Sequence, residues 1–290
     1  MKSFFFLLMI GFSQILKSQP YINIFSLQYQ HSPDAGMLQR DQIHNRVSYF
    51  KSEINLPVVF RRDSSIIVFS PAFEQWAIRL PEAYALPSSF RSMILPVNLI
   101  HPLSNKWTVL FAAIPRWNGY GNKWVNNSFQ MGAAFLASYK KNKRLQYKLG
   151  VYINNEFSGV FIMPLLGIDW QIDGRNNLFG VLPGNLVFEH FMNPHWYWGA
   201  SFRAITNTYQ SGLINPGPMH SFCRIDENQL SLYTDIYMGK NIVLNAEAGH
   251  SVFRRFRMGI EDADQKYYEK AKVNDGLLFK IGMAYRLRLR

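Results

Sequence analysis

The chain reads as an all-β protein: a transmembrane antiparallel up-and-down β-barrel of about fourteen strands, with twelve as the alternative. Three observations predict it. In residues 277–290, Leu277, Phe279, Ile281, Met283, Tyr285, Leu287 and Leu289 point one way. Lys280, Gly282, Ala284, Arg286, Arg288 and Arg290 point the other, and only Leu278 breaks that second face. Strand side chains alternate with period two, and roughly ten such residues, tilted, cross a hydrocarbon layer. Composition agrees: charged residues make up 17% and aromatic residues 16%, whereas a soluble domain carries about 25% charge. A barrel in lipid needs an apolar outer band with aromatic girdles, and half of each strand faces a polar lumen. Finally, short and long connections alternate along the chain, as they do when short turns lie on the periplasmic side and longer loops outside.

The elements follow in order. Lys2 precedes an apolar stretch, residues 4–12, that is too short to span a bilayer and has the length of a signal-peptide core. This predicts a leader over 1–19, a barrel over 20–290 and a place in the cell outer membrane. A buried N-terminal helix is the competing reading. The single cysteine, Cys223, excludes an intrachain disulfide, so hydrogen bonds and packing must hold the fold. The formal net charge of +12 is scattered over turns and strand ends, which argues against a nucleic-acid partner. It points instead to outer-membrane lipid and the phosphates of lipopolysaccharide.

Segments 145–154, 196–205, 229–238 and 241–252 repeat the closing pattern, and Gly239-Lys240 is a hairpin turn between the last two. Segment 42–60 changes phase near Phe50-Lys51, which predicts a bulge or an inner extension there. The short connections are 61–64, 102–105, 140–143, 173–176, 193–194 and 239–240. The long ones are 31–41, 80–88, 117–127, 209–227 and 254–275, with 157–159 a shorter outer one. They alternate throughout only if 177–191 is split at Pro183-Gly184, a strong turn dipeptide. That split gives fourteen strands with both ends periplasmic.

In the closing strand, Lys280, Gly282, Tyr285 and Leu287 form a pattern that resembles the β-signal read by the barrel assembly machinery, although the strand ends at Arg290 rather than at an aromatic residue. Together with residues 164–170 (PLLGIDW) and 246–255 (AEAGHSVFRR), the chain resembles an uncharacterised family of Gram-negative outer-membrane β-barrels, classed as a domain of unknown function. The resemblance implies a fold and a location, and brings no catalytic residues.

The phased alternation names the inward charges: Glu53, Arg116, Lys148, Glu156, Asp169, Arg203, Asp235, Glu247, Lys280 and Arg286. They predict either a pore lined by charge rings or a filled lumen in which opposite charges pair. Arg254, Arg255 and Arg257 begin the longest outer loop, where guanidinium forks suit lipopolysaccharide phosphate. The histidines show no metal-ligand spacing, and no cofactor is expected. A lipid hydrolase would need a Ser–His pair. His250-Ser251 are strand neighbours facing opposite sides, which leaves His220-Ser221 as the enzyme alternative. Trp107, Trp196 and Trp198 near periplasmic ends, and Trp117 and Trp124 in an outer loop, read as girdle residues. The leading expectation is passage or binding of a small or hydrophobic solute without catalysis. A structural or lipopolysaccharide-interacting barrel without an open pore is the alternative.

Overall fold

The alternating segments join edge to edge until the last meets the first. In the computed structural model, which describes residues 20–33, 46–60, 63–79, 89–121, 128–211, 221–260, 267–271 and 274–289, β1 (Tyr21–Ser32) pairs with β2 (Arg46–Ile54) on one edge and with β18 (Leu277–Arg288) on the other. The leader, His220 and Trp124 lie outside the described residues. Every neighbouring pair is antiparallel, and the result is a closed barrel of fourteen staves.

Three staves are composite: β2 with β3 (Leu56–Val59), β4 (Ile66–Phe69) with β5 (Ala72–Arg79), and β6 (Ser89–Ile94) with β7 (Val97–Pro102). Two of these breaks fall at Pro71 and Pro96, which have no N–H to give the ladder. The carbonyls of Pro71 and Pro96 still accept, from Ile54 N at 3.0 Å and Ser70 N at 2.9 Å. Then come β8 (Trp107–Tyr120), β9 (Phe129–Lys140), β10 (Leu145–Glu156), β11 (Gly159–Gln171), β12 (Asn176–Leu182), β13 (Asn185–Asn193), β14 (Trp196–Gln210), β15 (Ser221–Met238) and β16 (Ile242–Ile260). A further short piece, β17 (Tyr267–Ala271), pairs only with the upper part of β16 among the described strands. The turn between β12 and β13 is at Pro183-Gly184, where the count of connections requires it. The phase change expected at Phe50-Lys51 is absent. Alternation runs through β2 unbroken, and the irregularity sits in the neighbouring β1, between Asn23 and Phe25. There Asn55 reaches over from the β2–β3 join, donating its backbone N–H to Ile24 O at 2.8 Å and its side chain to Asn23 O at 2.9 Å.

Outward residues are large and apolar, for example Leu149, Leu232 and Ile281, each more than 60% exposed. Aromatic pairs climb β8 and β9: Trp107 against Tyr139 with centroids 5.0 Å apart, Phe111 against Phe135 at 5.0 Å, and Trp117 against Phe129 at 5.3 Å. Cross-strand pairs of this kind add about 0.5–1.5 kcal/mol beyond their burial. Trp117 therefore belongs to a strand wall rather than to a loop. At the short-turn end the 172–175 turn is tied by Asp173, whose carboxylate accepts from Asn176 Nδ2 at 2.7 Å and from the backbone of Arg175 at 2.7 Å and of Asn176 at 2.8 Å. These bonds hold its carboxyl below the usual carboxylate range.

The wall has very unequal height. β12 and β13 have 7 and 9 residues, while β15 and β16 have 18 and 19. Above the reach of β13, the upper parts of β14, β15 and β16 have no wall to follow on one side, and they lean across the mouth as a tongue. Tyr209, Cys223, Ile225 and Phe256 of the tongue pack into one apolar cluster with Val47, Tyr49, Trp76, Ile78 and Phe90 of the opposite wall. The other face of the tongue docks on β8 to β10: Asn118 Nδ2 donates to Thr208 O at 2.8 Å, and Gln130 Nε2 to Thr208 Oγ1 at 2.7 Å. Among the described residues, the barrel's own strands thus cross the long-loop mouth.

Candidate functional site

Period-two alternation sends one side chain in two into the lumen, and there all ten charges named from the sequence are found. Most meet a partner of opposite sign. Lys148 Nζ and Asp169 are 2.7 Å apart across β10 and β11. Lys280 and Glu247, directly opposite in the β16–β18 ladder, are 2.9 Å apart. Arg286 pairs with Asp235, which also accepts from Asn245 Nδ2 at 2.7 Å. Glu156 meets Arg224 of the tongue at 3.3 Å. Glu53 is 2.7 Å from Lys51, which in turn lies 3.6 Å from Glu74. A buried charge persists where it is paired, and these pairs fix side chains that would otherwise repel or seek water.

Arg203 and Arg116 are different. Arg203 donates to Gln28 Oε1 at 2.7 Å, a neutral acceptor, and makes no ion pair among the described residues. Arg116 donates to Asn207 Oδ1 at 3.2 Å and to Tyr152 at 3.0 Å, again neutral, and its buried Nε has no hydrogen-bond partner. Both line a cavity of about 530 Å³ in the middle of the lumen, together with Lys51, Glu53, Glu74, Asp235, Glu247 and Arg286. Above the chamber is the tongue. Below it, the short-turn end is filled by stacked cations: the Arg286 guanidinium lies 3.7 Å from the Tyr21 ring and that of Arg288 3.5 Å from Tyr197. Arg288 also forks onto Glu189 with bonds of 2.9 and 2.8 Å. Ile66 and Ile100 form a further buried apolar plug with Ile22, Val59 and Leu289.

The chamber's lining includes Arg203 and Ile205 from the inward face of β14, their neighbours Ala204 and Thr206, and Gly184 and Asn185 at the β12–β13 turn, so it reaches the place where β13 stops pairing with β14.

Arg254 overturns one expectation. It was placed on the outer surface for lipopolysaccharide, yet it is buried, with Nε 2.6 Å from Glu227 Oε2 and Nη2 2.9 Å from Ser32 Oγ. The cause is a bulge: Phe253 adopts φ 57°, and the β15–β16 register slips between Asp226 and Asn228. One extra residue reverses which side each later side chain faces. Arg255 is exposed, and Arg257 donates to Asp226 Oδ2 at 2.6 Å. Ser221 is buried and its Oγ accepts from Ser211 at 2.9 Å, while His250 and Ser251 face opposite sides, His250 outward and Ser251 inward. Among the described residues no group of three or more His, Cys, Asp and Glu could hold a metal.

Sequence reasoning missed Lys51, Glu74, Glu189, Arg224 and Glu227 as lumen charges. Lys51 and Glu53 alternate with Ser52, and Glu74 with Phe73 and Gln75, so both faces are mixed and apolarity cannot phase them. The strict alternation of the closing strand gives Arg288 the same side as Arg286, although it is not among the ten charges named.

A family model described as a domain of unknown function, DUF6268, matches residues 47–286, and the chain belongs to that family. No curated protein matches the sequence. Among solved structures, the chain is similar to an outer membrane channel from Pseudomonas putida F1, at 9% identity and TM-score 0.46, covering 91% of this chain and 94% of that one. It is similar also to the NanC porin, at 11% identity and TM-score 0.40, covering 90% and 100%, and to the KdgM porin, at 6% identity and TM-score 0.36, covering 90% and 98%.

Proposed function

We propose that this protein is a non-enzymatic outer-membrane barrel that takes a small solute into the lumen chamber and passes it between the two faces of the membrane. In this reading the long-loop end is outside and the short-turn end periplasmic. Residues 1–19 direct export, and the closing strand is read by the assembly machinery. The observation that carries it is the chamber itself: a space of about 530 Å³ holding two guanidiniums, Arg116 and Arg203, that form no ion pair among the described residues. Space and unspent hydrogen-bond donors in an otherwise paired lumen are what a solute site requires. Lipopolysaccharide contact stays with the exposed Arg255.

A second reading, a structural barrel without an open pore, is favoured by the tongue and the Arg288–Glu189 stack, which fill the two ends. Liposome swelling separates them. Protein reconstituted in liposomes should admit glycine and arabinose and exclude a trisaccharide. Absence of swelling with glycine, both in the wild type and in Phe256→Ala with its loosened tongue, would leave the structural reading standing.

A further inference from the structure

We propose that the gap in the wall above the β12–β13 turn is a side window, through which the chamber binds a single-chain amphiphile with its anionic head beside Arg203 and its apolar chain passing out along β11 into lipid. This rests on the reading of the lumen as a solute chamber and names the class of solute.

The window follows from the ladders. β11 pairs with β10 along its whole length but meets β12 only from Leu166 onward, so residues 159–165 have a partner on one side alone. Across the gap, β14 pairs with β13 only as far as Arg203, and the strand ladder of residues 205–210 is with β15 alone. The sill is the Pro183-Gly184 turn. A lintel closes the top: Phe157 N–H donates to Thr208 Oγ1 at 3.2 Å, and Arg224 joins Glu156 and covers the Phe161 ring at 5.1 Å. The opening is therefore framed on four sides and faces sideways.

Its depth is set by the outward residues of the free edge. Val160 and Ile162 are 69% and 62% exposed, as lipid-facing residues are. Bare backbone N–H and C=O groups are not left facing hydrocarbon, and such an edge persists only where it lines a polar space or is covered. Beside the window the usual rule for a lumen face is also reversed. Phe161, Met163 and Leu165 of β11 point inward, as do Val187 and Ile205 across the gap. An apolar track thus runs from lipid to a chamber where Arg203 has one neutral partner. A chain fits the track, and a carboxylate or phosphate oxygen satisfies the guanidinium.

The test uses the full-length protein in liposomes with dodecanoate carrying a photoreactive diazirine on its tail. Adducts should concentrate on β11 and β14 around the window. Excess dodecanoate should suppress them while butanoate does not, a preference of at least about tenfold from the buried methylenes. Arg203→Gln should lower the preference for dodecanoate over dodecanol about tenfold. Ala204→Trp should remove the window adducts, and Ala204→Leu, a milder filling, should weaken them, with heat-modifiable gel mobility reporting that each variant is folded. Adducts spread evenly round the barrel, or unchanged in folded Ala204→Trp or Ala204→Leu, would overturn the proposal. Swelling with glycine is read in the same liposomes: if it persists while window labelling fails, the amphiphile is wrong and the solute chamber stands.

Discussion

The walls on the two sides of this barrel obey different rules. On the low side, β12 and β13 end below the level at which β11 still exposes Val160 and Ile162, and their residues are placed by simple alternation. On the tall side, β14 to β16 continue past their neighbours and lose the wall that kept them upright. Their outward face, which carries Leu230 and Leu232 lower down, changes above to Thr206, Thr208, Arg224 and Asp226; Thr208 docks on β9 and Arg224 on β10, while Thr206 and Asp226 bond each other. The difference shows that the apolar-out rule belongs to the lipid and holds only as high as lipid and neighbouring strands enforce it. Beyond that height a strand packs as it would in a soluble protein.

The comparison can be broken most forcefully at the tongue. Arg254→Ala leaves the fully buried Glu227 carboxylate without its partner, and loss of one member of such a pair costs about 3–5 kcal/mol. The unfolding midpoint in urea should fall, and Glu227→Gln combined with Arg254→Ala should recover part of it. Phe256→Ala empties part of the apolar cluster and should cost about 3 kcal/mol or slightly more, with higher conductance in planar bilayers as the mouth loosens. On the lipid-ruled wall, Leu232→Arg puts a charge on a face 66% exposed, at a cost of about 2–4 kcal/mol if it lies near the bilayer midplane. Conductance should be unchanged there, and equality of the two phenotypes would erase the distinction between the walls. The smallest effect is at the short-turn end. Because Asp173 has its pKa lowered by Asn176 and Arg175 in the fold, its contribution is present above the unfolded carboxyl pKa and is lost as pH falls through the folded one. Asp173→Asn should therefore lower stability slightly at neutral pH and leave low pH nearly unchanged, which flattens the acid limb of a stability profile.

The fold was legible because membrane crossing writes period two into the sequence, as residues 277–290 and 229–238 show. The parity of connections then called for a turn within 177–191, and the turn propensity of Pro183-Gly184 located it. What could not be read was the tongue. Sequence placed loops at 209–227 and 254–275, yet β14 ends at Gln210, β15 begins at Ser221 and β16 reaches Ile260. The strands there pack an apolar face on the opposite wall and turn polar residues outward, so the apolar-out alternation does not mark them. Arg254 was misplaced by a single residue in a left-handed backbone conformation, a feature no side-chain pattern announces when the residue is a phenylalanine. Alternation names Arg116 and Arg203 as inward, but that they form no ion pair among the described residues depends on distances between strands far apart in the chain.

The fork between Arg288 and Glu189 joins the last strand to β13, which is not its neighbour in the wall. In mechanical terms it is a chord drawn across part of a ring. A hoop of hydrogen-bonded strands resists stretching well but flattens easily into an oval, and a chord removes that freedom for the arc it spans. The arc from β13 to β18 is the one that carries the tongue at its far end, so the strut at the bottom keeps the base of the tall wall from splaying when the membrane presses on it.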